Sequence, residues 1–242
     1  MISTVSRVPE IDLAYEFLPG NAPIVMFCPG YASDMAGTKA LALEAWCKAN
    51  GHAMLRFDYA GHGQSGGDFS ANGIGDWAAD AAFVLAHAAP QQDVVLVGSS
   101  MGGWISLLLG PQLGTRLKAM LLIAPAPDFT TELLKRDLTA EQDGVVAQAS
   151  PHAAPLTFSR ALIERSAAHL VMQQTIPLTC PIRILHGLQD ETVPWQLSLK
   201  LVEKLASTDV RLVYVKNGDH RLSSPEDLSL LTQTMADLVQ NS

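Results

Sequence analysis

From residue 22 onward, short apolar runs rich in β-branched residues alternate with Ala- and Leu-rich stretches of helical period. Such alternation is typical of repeated βα units, in which each helix carries the chain back to begin a parallel strand. It predicts a mostly parallel, doubly wound sheet with helices on both faces. The predicted strands cover residues 24–28, 53–59, 94–97, 119–123, 182–185 and 210–215, and the predicted helices cover 38–48, 76–87, 101–109, 196–205 and 227–239.

The alternation breaks after Ala124. Between residues 125 and 180 there is no apolar β-run, and polar helical pieces at 129–138 and 158–171 flank a Pro-containing stretch at 150–155. We therefore expect a helical cap over about residues 126–178, inserted into a single domain that spans residues 1–242. A chain that is 48% hydrophobic and 17% charged suits such a domain and is too apolar to be disordered.

Charge and composition exclude several classes of partner. The net charge is −8, from 16 basic and 24 acidic residues, and no Lys/Arg cluster is present, so nucleic acid is not an expected partner. No apolar stretch approaches the ~18 residues that cross a bilayer. The first ten residues resemble neither a secretory signal nor a transit peptide, which predicts a cytoplasmic protein. The sequence does not predict an oligomeric state.

The three cysteines, Cys28, Cys47 and Cys180, are odd in number and lack the spacing of a zinc site. They are therefore expected to be reduced, buried thiols and not a disulfide framework. The sequence predicts no metal ion and no organic cofactor.

The segment 94–105 carries the clearest chemical motif. It consists of an apolar strand, the pattern Gly-x-Ser-x-Gly from Gly98 to Gly102, and an apolar helix. This is the arrangement of a nucleophile elbow, a turn so sharp that the residues two before and two after the serine have almost no room for a side chain. Ser100 would then stand exposed at a helix N-terminus, where developing negative charge is favoured.

A second match to the same pattern runs from Gly63 to Gly67 around Ser65. It also follows a strand, but it lies in a run of Gly, His and Ser with no helix beginning at the serine. The elbow geometry therefore cannot form there, and Ser65 is interpreted as a loop residue.

A serine nucleophile needs a base, and the base needs an orienting carboxylate. Asp190 follows the predicted strand 182–185, and His220 follows the predicted strand 210–215, so both lie at the strand ends where open α/β sheets build their sites. We predict Ser100 as nucleophile, Asp190 as acid and His220 as base. Asp128 is the chief rival acid. His186 and His62 are weaker base candidates, and His186 is expected to be a core histidine or to support the site from behind.

The oxyanion hole is expected to combine two backbone N–H groups. One belongs to Met101, which follows the nucleophile, and the other to Tyr31, in the loop after the predicted strand 24–28. The Tyr31 ring either lines the substrate pocket or only packs at its edge.

These residues together resemble the α/β-hydrolase superfamily from residue 24 to 239. Within it they resemble the palmitoyl-protein thioesterase branch that also acts on acyl-glucuronides, but we expect no counterpart of that branch's targeting segment here. The resemblance implies Ser100, Asp190 and His220 as a catalytic triad, and S-deacylation or acyl-glucuronide hydrolysis as the activity. It rests on Pro29-Gly30-Tyr31 with Gly37-Thr38-Lys39-Ala40, Arg56-Phe57-Asp58-Tyr59, the segment 98–104, Cys180-Pro181-Ile182-Arg183, Asp190 with Val193-Pro194-Trp195, and Asp219-His220-Arg221.

The expected reaction is hydrolysis of a carboxylic ester or thioester, carried by a small molecule or an acylated protein, through an acyl-enzyme on Ser100. Haloalkane dehalogenases and epoxide hydrolases use aspartate as nucleophile, so the serine argues against both. The alternatives are a serine peptidase of the same fold, a lipase acting at lipid droplets and a non-catalytic binding module.

Apolar side chains of the cap are expected to lie over the Ser100 pocket or, alternatively, only to attach the cap to the sheet. Trp195, Phe129 and Phe158 are the candidate substrate contacts. The apolar cap residues are Phe129, Leu133, Leu134, Phe158, Leu162, Ile163, Leu170 and Met172.

Overall fold

An eight-stranded sheet lies at the centre of the computed structural model, which describes residues 2–8, 11–133, 140–142, 145–148 and 156–240. Eight strands lie in the order β1-β2-β4-β3-β5-β6-β10-β11, and all neighbours from β4 to β11 along this order are parallel. The strands are β1 Ser3–Val8, β2 Ile11–Leu18, β3 Asn21–Cys28, β4 His52–Phe57, β5 Val94–Ser99, β6 Leu117–Ile123, β10 Ile182–Gly187 and β11 Val210–Val215.

Helices cover both faces of this sheet, as the sequence predicts for a doubly wound fold. One face carries an apolar core built with α2 Ile74–Ala88 and α3 Met101–Leu113, and the other carries a core built with α1 Thr38–Asn50 and α7 Pro225–Gln240. A further helix, α6 Gln196–Lys204, connects β10 to β11. Among the described residues, no helix is both long and apolar enough to span a bilayer.

Two features of the fold differ from the sequence prediction. Strands β1 and β2 form an antiparallel pair before residue 22, and β2 pairs antiparallel with β4. Their partly polar sequences hide them from a search for apolar runs. Helix α3 also continues past Gly110-Pro111, where the sequence predicted its end. Pro111 lies in the last turn, so its missing N–H affects only the end of the helix.

The segment between β6 and β10 leaves the sheet and forms the cap. Its described elements include helices α4 Phe129–Leu133 and α5 Arg160–Ser166, and an antiparallel sheet of β7 Ala140–Gln142, β8 Val145–Gln148 and β9 Leu156–Ser159.

The cap, which the sequence predicts to be helical, therefore holds a small sheet in addition to its helices. Strands of three or four residues are too short to show a period of two in the sequence. Phe158 and Ser159 begin no helix, because they end a strand and α5 starts one residue later. Leu134 and the predicted stretches 134–138 and 150–155 lie outside the described residues. The outer bounds of the cap stay a prediction.

Candidate active site

The segment from β5 to α3 makes the sharp turn that its sequence predicts. Ser100 stands between the two elements with φ 54° and ψ −118°, a conformation that few non-glycine residues adopt. A Cβ added to Gly98 would lie 2.4 Å from the Gly102 carbonyl oxygen, and one added to Gly102 would lie 2.0 Å from the Cys28 carbonyl oxygen. The two glycines are thus required by the close approach of three backbone segments around the serine.

Three predicted side chains come together at the carboxyl ends of the strands. The Nε2 atom of His220 lies 3.1 Å from the Oγ of Ser100, and its Nδ1 atom lies 2.7 Å from the Oδ2 of Asp190. The loops after β10 and β11 hold each other in place, since the Gln189 N–H donates to the Gly218 carbonyl at 2.9 Å. A serine, a histidine and an aspartate separated by 30 to 120 residues therefore form one continuous hydrogen-bonded chain.

Asp190 is a buried carboxylate with four donors. Its Oδ1 accepts the backbone N–H groups of Thr192 and Val193 at 2.9 and 2.8 Å, and its Oδ2 is shared by His220 and His186. Burial alone would raise the pKa of this carboxyl, but the hydrogen bonds from His186 and His220 hold the pKa well below its usual range. Asp190 is therefore ionised at neutral pH.

The loop after β3 passes directly beside the serine. A Cβ on Gly30 would lie 3.4 Å from the Cβ of Ser100, so the backbone that carries the Tyr31 N–H runs next to the nucleophile. Met101 is the first residue of α3 and follows Ser100 directly. These positions are those expected of two oxyanion donors, and the assignment stays a prediction.

Asp58 holds this loop, a role that the sequence did not predict. Its Oδ1 accepts the Met35 N–H at 2.7 Å and its Oδ2 accepts the Gln64 N–H at 2.8 Å. Burial raises the pKa of Asp58, against the effect of these two hydrogen bonds. The signal in the sequence is a lone aspartate directly after an apolar strand, at the edge of the sheet where the other loops of the site lie.

The Tyr31 side chain links the same loop to the cap. Its hydroxyl donates to the Thr157 carbonyl at 2.8 Å, and its ring stacks on Phe158 with a centroid distance of 5.0 Å. Phe129 lies 5.9 Å from Phe158 and 5.7 Å from Trp104 between ring centroids. Burial raises the pKa of the Tyr31 hydroxyl above its usual value. Phe129 and Phe158 thus pack the cap onto the site, and their contact with a substrate stays a prediction.

The rival acid and the second serine are engaged elsewhere. Asp128 accepts the backbone N–H groups of Val171 and Met172 at 2.8 and 2.9 Å, so it ties the returning cap segment to the end of β6, and burial raises its pKa. Ser65 donates to the Asp58 carbonyl at 2.7 Å and accepts the Ala14 N–H at 2.8 Å, which is a structural arrangement within a loop.

Two further candidates are the histidine His62, considered as a base, and Trp195, considered as a substrate contact. His62 is buried, its Nδ1 faces the Ala60 carbonyl at 3.3 Å, and burial lowers its pKa to about 4. Trp195 packs edge-on against Tyr214, with a centroid distance of 5.3 Å, at the start of α6. Its proposed contact with substrate stays a prediction.

This chain is similar to known proteins in both sequence and fold. Residues 20–156 match the family described as Hydrolase_4, serine aminopeptidase S33. The mitochondrial palmitoyl-protein thioesterase ABHD10 of Bos taurus is 36% identical over 98% of this chain and 80% of its own length. That name places the relative in mitochondria, whereas the cytoplasmic location expected from this sequence stays a prediction.

Two solved structures are similar over nearly their full length. The alpha/beta hydrolase domain-containing protein 10 from mouse has a TM-score of 0.91 and 34% identity, covering 99% of this chain and 98% of its own. A putative hydrolase from Agrobacterium vitis S4 has a TM-score of 0.89 and 38% identity, with the same coverage. The fold and the resemblance predicted from the sequence are confirmed. The chain belongs to the Hydrolase_4 family of α/β hydrolases, and it is a hydrolase.

Proposed function

We propose that this protein is a serine hydrolase that cleaves carboxylic esters and thioesters through an acyl-enzyme on Ser100. The observation that carries the proposal is the hydrogen-bonded chain from Ser100 through His220 to Asp190, with distances of 3.1 and 2.7 Å. In this chain Asp190 accepts only, because it is ionised, so the Nδ1 of His220 carries a proton. The Nε2 of the neutral ring then has a free electron pair directed at the Ser100 hydroxyl.

This arrangement supports a reaction in two steps, acylation of Ser100 and hydrolysis of the acyl-enzyme. The Ser100 Oγ forms a bond to the carbonyl carbon while its proton passes to the His220 Nε2, and the carbonyl electron pair moves onto oxygen. The Met101 and Tyr31 N–H groups stabilise that oxygen. The tetrahedral intermediate collapses as the His220 proton passes to the leaving alcohol or thiol. Water then attacks the acyl-enzyme by the same route and releases the acid.

Two arguments support thioesters and acyl chains as substrates. The relative is named a palmitoyl-protein thioesterase, so a small molecule or an acylated protein with a long acyl chain is the proposed substrate. A thiolate also leaves with little help from a general acid, whereas an alkoxide needs protonation. We therefore propose that this site accepts thioesters at least as readily as simple alkyl esters, and that acyl-glucuronides are cleaved as well because their anomeric oxygen is a better leaving group.

The test is a panel of acetyl, octanoyl and palmitoyl thioesters beside matched ethyl esters, with Ser100→Ala as the inactive control. If apolar cap residues line the acyl site, each buried methylene adds at most ~0.8 kcal/mol, or close to fourfold in kcat/KM, until the site is full. The kcat/KM for the octanoyl thioester should then be clearly higher than that for the acetyl thioester. A preference for acetyl, or esters faster than thioesters by tenfold, would contradict the substrate proposal.

A peptidase remains the second candidate because the matching family is described as serine aminopeptidase. It would use the same three side chains on an amide bond. Hydrolysis of aminoacyl arylamides separates the two, since the ester and thioester proposal expects these substrates to react far more slowly than octanoyl thioesters. Labelling of Ser100 by a fluorophosphonate would separate both from a non-catalytic binding module.

A further inference from the structure

His186 is a fully buried side chain at the end of β10, in contact with the Asp190 carboxylate. Its Nε2 lies 3.1 Å from the Oδ2 of Asp190 and 3.2 Å from the Val193 carbonyl oxygen. Both neighbours are acceptors, so Nε2 carries a proton whether the ring is neutral or charged. His186 therefore donates to the same carboxylate oxygen that His220 uses.

The other side of the His186 ring is held by α6. Its Nδ1 lies 2.6 Å from the hydroxyl of Ser198, which is also fully buried. The ring is thus fixed between a helix and the loop after β10. A position fixed from both sides is what a rigid hydrogen-bond donor requires.

We propose that His186 is a positioning residue that acts through Asp190, holding Oδ2 in the place from which the carboxylate orients His220. The backbone N–H groups of Thr192 and Val193 both donate to Oδ1 of Asp190 and neither of them to Oδ2. The carboxyl group can therefore rotate about Oδ1, and this rotation would move Oδ2. The hydrogen bond from His186 opposes this rotation. The burial of the Asp190 side chain leaves no solvent to replace a lost donor.

This role differs from that of an ordinary core histidine in a testable way. A glutamine at position 186 places its amide N–H near the site of Nε2, whereas an asparagine reaches only the site of Nδ1. His186→Gln therefore keeps a donor for Asp190, and His186→Asn keeps only the contact with Ser198. A purely structural role would make the two variants equivalent per folded molecule.

The experiment compares kcat, KM and thermal unfolding of the full-length parent, His186→Gln and His186→Asn on an octanoyl thioester. A displacement of about 1 Å in a catalytic group can cost roughly 100-fold, so we expect His186→Asn to lose about tenfold to 100-fold in kcat with KM within threefold. His186→Gln should recover most of this loss. The downfield proton resonance of the His220–Asp190 hydrogen bond should shift in His186→Asn and return toward the parent in His186→Gln.

The matched control is the same pair of changes at His62, a buried histidine on another loop. His62→Gln and His62→Asn should both lower the unfolding temperature, and the two variants should have the same kcat as each other. Equal kcat for the two His186 variants, or an unchanged resonance in His186→Asn, would overturn the proposal.

Nitrogen NMR of histidine-labelled parent protein gives a test that does not depend on variant folding, since a bare Nε2 on His186 would also overturn it. The inference rests on the proposed function, but the two fail differently. If the proposed function fails, a fluorophosphonate will not label Ser100 in the parent protein. If only the inference fails, Ser100 of the parent will still be labelled.

Discussion

Replacing Asp190 by asparagine tests the site most directly, because the carboxylate receives four donors and an amide has only one oxygen. If the amide nitrogen faces the histidines, it presents N–H groups to the donating Nε2 of His186 and to the Nδ1 of His220. The His220 ring is then stable only with its proton on Nε2, which removes the acceptor for the Ser100 hydroxyl. If the nitrogen faces Thr192 and Val193 instead, it opposes two backbone N–H groups.

The magnitude follows from the loss of the correct tautomer. A comparable change in a serine triad costs about 10⁴ in kcat, so Asp190→Asn should lower kcat by around 10³ to 10⁴-fold. This corresponds to about 4 to 5.5 kcal/mol of transition-state stabilisation. Loss of charge-assisted hydrogen bonds should also lower the free energy of unfolding by about 1.5 to 3 kcal/mol.

Asp128→Asn is the matched control, since it makes the same change in a buried aspartate that binds two backbone N–H groups of the cap. It should destabilise the fold by about 1 to 2 kcal/mol and leave kcat within about fivefold. The assay is steady-state hydrolysis of an octanoyl thioester at pH 8, with the folded fraction measured in parallel. If Asp128→Asn is the damaging change and Asp190→Asn is mild, the acid has been assigned to the wrong residue.

Three further outcomes are expected. Ser100→Ala should cut kcat by roughly 10⁴ to 10⁶-fold, whereas Ser65→Ala should leave kcat nearly unchanged. Ser65→Ala should instead lower the free energy of unfolding by about 1 to 3 kcal/mol, because the buried Ala14 N–H loses its acceptor. Equal losses of kcat in the two variants would refute the choice between the two motifs. The parent kcat/KM should fall on the acid side, because a protonated histidine cannot accept the Ser100 proton, and a flat profile to pH 5 would count against a histidine base. Burial lowers the His62 pKa from 6.5 to about 4, so the unfolded chain binds the proton first as the pH falls. The free energy of unfolding should therefore decrease between pH 6.5 and pH 4, by up to about 3 kcal/mol. Urea titrations of the parent and His62→Gln at pH 7 and 4.5 measure this decrease, and an equal pH dependence in both proteins would contradict it.

The sequence predicts those parts of the site that depend on backbone geometry. The elbow is recognisable because a Cβ at Gly98 or Gly102 would lie only 2.4 or 2.0 Å from a backbone carbonyl oxygen, so both positions require glycine. The positions of Asp190 and His220 follow from parallel strands ending at one edge of the sheet.

What the sequence could not predict depends on contacts between distant segments. Nothing near Tyr31 indicates that its hydroxyl will meet the Thr157 carbonyl, 126 residues away. Likewise, the polar residues of β1 and the short strands of the cap acquire their conformation from pairing with other strands and not from a periodic pattern.

The hydrogen bond and ring stacking between Tyr31 and β9 connect the cap mechanically to the loop beside Ser100. The residue that supplies a proposed oxyanion donor is attached through its own side chain to the element that covers the site. An acyl chain that pushes Phe158 aside therefore also pulls on the loop beside Ser100. The length of the acyl chain would then change kcat and not only the affinity for substrate. An exchange of caps between relatives would change kcat together with acyl-chain selectivity.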